Sequence, residues 1–134
     1  MDLKLEVVPI PVTDIDRAKR FYSEQVGFTV DLDTTISGDI RLVQLTPPGS
    51  GCSIHLTTLV QLPPPGSMQG LILVVDDAAA AREKLLENGV DASPLRHFED
   101  GEWVDGPGEP WNLYLFFSDP DGNGWLVQER PRDA

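Results

Sequence analysis

The chain has 134 residues, 40% of them hydrophobic and 24% charged, with a formal net charge of −12 at pH 7. That length suits one domain with a core of its own, and the composition disfavours disordered and membrane classes. The acidic balance leaves no Lys/Arg cluster for nucleic-acid phosphates, and a single cysteine, Cys52, rules out an intrachain disulfide or a multi-cysteine zinc site.

Residues 3–12 read as a strand, with Val8, Ile10 and Val12 on one face and Leu5, Val7, Pro9 and Pro11 on the other. The two prolines donate no ladder hydrogen bond, which suits a sheet edge. Thr13 and Asp14 offer capping oxygens for a helix over about 16–25, stopped by Gly27, with Ile15, Ala18 and Tyr22 as its apolar stripe. Strands are expected over 28–34, 40–46 and 52–58, separated by turns at Ser37-Gly38-Asp39 and Pro47-Pro48-Gly49. Pro63-Pro64-Pro65-Gly66 marks 61–69 as a linker, since consecutive prolines hold an extended chain.

The unbroken apolar run at 71–75 suggests a buried strand. Asp76-Asp77 then caps a helix on which Ala78, Ala81 and Leu85 repeat the first stripe, and Gly89 ends it. A short strand is expected around 92–97. A long irregular stretch follows, carrying Glu99-Asp100-Gly101 and Asp105-Gly106-Pro107-Gly108. Strands over 112–118 and 124–129 are joined by Asp119-Pro120-Asp121-Gly122-Asn123, whose expected role is geometric.

The second half repeats the first. Val12-Thr13-Asp14 returns as Val75-Asp76-Asp77, 63 residues on (positions 12 and 75), and Thr46-Pro47-Pro48-Gly49 returns as Asp119-Pro120-Asp121-Gly122, 73 residues on (positions 46 and 119). Two copies of one small unit would pair into one domain. With Phe21-Tyr22, Gly27-Phe28, Phe117-Ser118 and Gln128-Glu129, these motifs resemble the vicinal oxygen chelate superfamily of glyoxalases, bleomycin-resistance proteins and extradiol dioxygenases. The resemblance covers essentially the whole chain. It implies an α+β fold of two tandem βαβββ modules, about 1–60 and about 70–131, curving around a shared cleft and assembling as a homodimer. Fold alone does not fix function.

Metal-dependent members of that superfamily take His, Gln or Glu ligands from the first and last strands of each module. Carried over, the first-strand positions fall on Val7 and Gly70, neither of which binds metal through its side chain. The last-strand positions fall on His55 and on Leu126 or Gln128. The resemblance thus implies an incomplete ligand set, which disfavours a divalent metal and leaves no cofactor assigned. His55 reads as a catalytic base or a hydrogen-bonding ligand contact, against a strand histidine satisfied by a neighbour. Gln128 and Leu126 read as binding residues. Arg41 would anchor a carbonyl or anionic ligand if its strand face pointed inward; otherwise it is a solvated strand charge. His97, Trp103 and Trp111 lie on the irregular stretch, which reads either as a lid over a small molecule or as packing on a dimer partner.

The expected function is therefore a glyoxalase/bleomycin-resistance-like protein that binds a small organic molecule without the full metal site. One alternative is a metal-dependent lyase, isomerase or dioxygenase with a displaced set drawing on His55, His97, Gln128 and Glu102. Another is sequestration of a cationic antibiotic, which the acidic balance would attract. Whether the chain is an enzyme stays open. Met1-Asp2-Leu3-Lys4-Leu5-Glu6 lacks a secretory signature and the apolar runs are strand-sized, so a cytoplasmic protein with no membrane partner is expected.

Overall fold

Two runs of capped helix and alternating strands build two sheets, each with one helix-covered face. The computed structural model describes residues 1–133. Unit 1 comprises Met1–Met68 and Asp119–Asn123; unit 2 comprises Gln69–Ser118 and the chain from Gly124 onward.

In unit 1 the elements are β1 (Val7–Pro9), α1 (Ile15–Arg20), β2 (Thr29–Ser37), β3 (Ile40–Thr46) and β4 (Ser53–Thr57). The sheet order is β1-β4-β3-β2, with β1 parallel to β4 and the other pairs antiparallel. The proline-bearing strand is thus at an edge, where a missing donor costs least. It is shorter than the 3–12 expected, because only its central residues enter the ladder. Asp14 caps α1 by accepting from the Arg17 amide at 3.1 Å. The helix continues as a π-helical turn over Phe21–Val26 and stops at Gly27, whose φ of 96° needs glycine. The core is formed by Ile10, Tyr22, Phe28, Val43, Leu45, Ile54 and Leu56.

Unit 2 contains β5 (Leu71–Val75), α2 (Ala78–Glu87), β6 (Arg96–Glu99), β7 (Glu102–Asp105), β8 (Tyr114–Ser118) and β9 (Gly124–Glu129). Their order is β5-β9-β8-β6-β7. Asp77 caps α2 through the Ala80 amide at 3.0 Å. Ala78 and Leu85 are buried as the repeated stripe requires, against Leu115, Phe117, Trp125 and Val127. β5 is covered on one side only: Ile72 and Val74 stay exposed, contrary to the buried strand that its apolar run suggests.

The irregular stretch expected after residue 97 is instead a β-hairpin. β6 and β7 pair antiparallel from Arg96↔Asp105 to Glu99↔Glu102. Its two-residue turn is Asp100-Gly101, both at positive φ (49° and 82°), the mirror-image turn that matches strand twist. The module is βαβββ with one added edge strand.

The Asp119–Asn123 turn does more than tighten a hairpin. Asp119 is buried, and its Oδ1 accepts the amides of Asp121 and Asn123, both at 2.9 Å. Its Oδ2 accepts the Tyr22 hydroxyl and Asn123 Nδ2, both at 2.8 Å. Fully buried Asn123 also donates to the Pro11 carbonyl (2.8 Å) and accepts from the Met68 amide (3.0 Å). The Asp121 carboxylate takes the Thr13 amide and hydroxyl just ahead of α1. Beside this turn Gly66 has φ +80°, and a Cβ there would lie 2.1 Å from the Asp121 carbonyl oxygen, so no other residue fits. Among the described residues no helix is long and apolar enough to cross a membrane.

Because a buried carboxylate depends on its donors, Tyr22→Phe should cost about 2 kcal/mol and Asp119→Ala roughly 3–5 kcal/mol in urea unfolding. Losses below about 0.5 kcal/mol for both would contradict this role.

Candidate functional site

Strand alternation sorts the candidate residues onto faces. In unit 2, the face opposite α2 is built by pairs in register: Ile72↔Leu126, Val74↔Gln128, Phe116↔Leu126 and Tyr114↔Gln128. The added hairpin extends the same face, since Arg96 pairs with Tyr114 and Phe98 with Trp103. The Trp103 ring packs edge-on to Phe98 and Tyr114 at 5.2 Å and to Phe116 at 4.8 Å. Phe98, Trp103, Ile72 and Val74 are 41–53% exposed, so this is an assembled aromatic surface open on one side.

One polar handle sits within it. Gln128 Nε2 donates to the Trp111 carbonyl (2.8 Å) and to the Tyr114 hydroxyl (3.0 Å). Both amide hydrogens are thereby used, leaving the Gln128 carbonyl as an acceptor and the Tyr114 hydroxyl hydrogen as a donor. Trp111, half-exposed, adopts a φ of 68°, uncommon for a bulky residue, with its carbonyl held by Gln128. The charges in register with the face, Arg96 and Asp105, pair with each other at 3.2 Å.

Of the residues singled out from sequence, the fold therefore gathers Trp103, Leu126 and Gln128 on this face, with Trp111 tied to it through its carbonyl. His97 is not among them: it pairs with Val104 on the opposite side of the hairpin. Its Nδ1 lies 2.7 Å from the Gly106 carbonyl and its Nε2 2.9 Å from the Glu99 carboxylate. Two acceptors favour the imidazolium, so first the Gly106 carbonyl and then Glu99 push its pKa up. Phe98, Tyr114 and Phe116 join Trp103, Leu126 and Gln128 on the face, and the signals that place all three are the alternation over 112–118 and the Asp100-Gly101 turn.

Arg41 is turned to the α1 side of the unit 1 sheet. Its guanidinium forms a fork on Asp33 (3.0 and 2.9 Å) and contacts Asp16 at 2.8 Å. Those hydrogen bonds hold it further above its ordinary value. Arg41, and next Lys19, hold Asp33 well below the usual carboxylate range. Arg41 is thus occupied structurally rather than presented to a ligand.

His55 is half-buried on the face of unit 1 opposite α1, in register with Gln44. Its Nε2 lies 2.9 Å from Gln44 Oε1, and burial pushes its pKa down. Val7 stands on the neighbouring strand opposite Ser53, and Gly70 immediately precedes β5. Neither Val7 nor Gly70 supplies a donor atom from its side chain, and among the described residues no three His, Cys, Asp or Glu side chains gather where they could hold a metal ion. Val7 and Gly70 thus leave two of the four ligand positions that the family resemblance implies without a ligand atom.

With fold and faces in place, the family follows. The Glyoxalase/Bleomycin resistance protein/Dioxygenase superfamily model matches residues 4–127, and the chain belongs to that superfamily. It resembles the crystal structure of TnmS3, an antibiotic binding protein from Streptomyces sp. CB03234, at 32% identity and TM-score 0.78, covering 96% of this chain and 97% of that one. A superfamily member from Sphaerobacter thermophilus DSM 20745 matches at 26% identity and TM-score 0.76, over 96% and 98%. Protein YetH of Bacillus subtilis (strain 168) is 23% identical over 94% of this chain and 98% of its own length.

The two imidazoles should separate in an NMR pH titration, His55 titrating below the ordinary histidine value of about 6.5 and His97 above it. Assignment with His55→Gln decides the order, and a reversed order would contradict both environments.

Proposed function

We propose that this protein binds a flat, largely aromatic organic molecule against the open face of the unit 2 sheet, without a metal ion. The observation that carries this reading is the exposed Trp103 braced by Phe98, Tyr114 and Phe116. A rigid aromatic surface stacks on a planar ligand at little entropic cost, and the Gln128 carbonyl and Tyr114 hydroxyl supply one acceptor and one donor to orient it. Binding is favoured over turnover because Arg96 and Asp105, the ionisable pair in register with the face, neutralise each other. The likeness to an antibiotic binding protein at 32% identity supports the binding of a small organic molecule. A net charge of −12 favours cationic or neutral ligands over anionic ones.

Quenching of tryptophan fluorescence tests this. Acridine orange, planar and cationic, should quench with an affinity that falls as salt rises and is unchanged by EDTA. Trp103→Ala should weaken it roughly tenfold or more, the worth of one lost stacking partner. Affinity that disappears with EDTA, or that survives Trp103→Ala unaltered, would count against the proposal.

A further inference from the structure

Hydrogen bonds on the open face of the unit 1 sheet run in one direction. A register shift between Val30 and Leu32 leaves Asp31 as a bulge residue, so its side chain joins Gln44 and Thr46 on this face. An ionised carboxylate only accepts. Asp31 takes the Thr46 hydroxyl hydrogen and a Gln44 amide N–H at 3.2 Å. With its hydrogen committed, Thr46 Oγ1 accepts from Ser53 Oγ, 2.6 Å away. With its nitrogen turned to Asp31, Gln44 presents Oε1 to His55. Rotating the amide would set oxygen against carboxylate oxygen, so the imidazole must carry its hydrogen on Nε2. That leaves Nδ1 as the bare ring nitrogen, and no described residue donates to it.

We propose that His55 Nδ1 is a tautomer-locked hydrogen-bond acceptor that recognises a ligand's hydroxyl or N–H group. Its surroundings narrow the class. β1 sets Pro9 in register with His55 and Val7 with Ser53, and the one charge facing the row from β2, Asp31, acts through Gln44. An acceptor atom beside aliphatic surface suits a phenol-type group, a polar hydrogen on an apolar ring. Carboxylates and phosphates, which offer only lone pairs, meet another lone pair and are rejected. The relay has no part in the aromatic face of unit 2, and its readout is the His55 ring, so either reading survives the failure of the other.

Nitrogen-15 NMR of the full-length protein at about pH 7.5, above the ordinary histidine value, should show a pyrrole-type Nε2 and a pyridine-type Nδ1 at His55. Gln44→Leu should mix the two tautomers. Titration with 2-naphthol should shift Nδ1, and 2-methoxynaphthalene, identical but for the missing donor, should bind there at least about fivefold more weakly. An Nδ1–H tautomer, an unchanged tautomer in Gln44→Leu, equal responses to the two probes, or no response to either would overturn the proposal.

Discussion

The buried carboxylate of Asp119 is the constraint on which unit 1 depends. A charge removed from water must find its hydrogen bonds inside the protein, and Asp119 finds four, from Tyr22, the Asn123 side chain and two backbone amides. Each donor fixes a different part of the unit. Tyr22 orients the helical segment, while Asn123 ties the Pro11 carbonyl after β1 to the Met68 amide in the linker. Asp121 adds Thr13, so the entry to α1 is set by a turn 108 positions away in the chain. Removing any one donor leaves charge uncompensated, which is why the network is satisfied throughout.

The same economy shapes the two open faces. Each sheet buries one face under its helix, and what alternation leaves on the other differs between the copies. Unit 1 leaves a row of small polar side chains drained toward Asp31; unit 2 leaves Trp103, Phe98, Tyr114 and Phe116 around a single amide. Duplication thus preserved the frame, the caps and the buried stripe, and let the exposed alternates diverge. Val7 and Gly70, where the family resemblance implies first-strand ligands, carry no ligand atom in their side chains.

Much of the frame was legible because it rests on local rules. The strands Ile40–Thr46, Leu71–Val75 and Gly124–Glu129 have the bounds that their patterns predict, and both N-caps act as their residue types require. The hairpin of β6 and β7 has the sequence pattern of a loop although Asp100-Gly101 is a strong turn signal, because neighbouring glycines and prolines mask the alternation of Phe98 with Trp103. Arg41 could not be assigned a face from sequence, and only packing reveals its ion pairs with Asp16 and Asp33. Nor could the partners of Asp119 be read, since Tyr22 is 97 positions distant and a buried acid looks like a surface one in sequence.

On the proposed reading, a planar ligand rests on the aromatic face of unit 2. Intermolecular NOEs from bound acridine orange test it most directly. Cross-peaks from the ligand rings to the indole of Trp103 and to the Tyr114 and Phe116 rings are the predicted result. A bound ligand whose NOEs avoid all three side chains would contradict it.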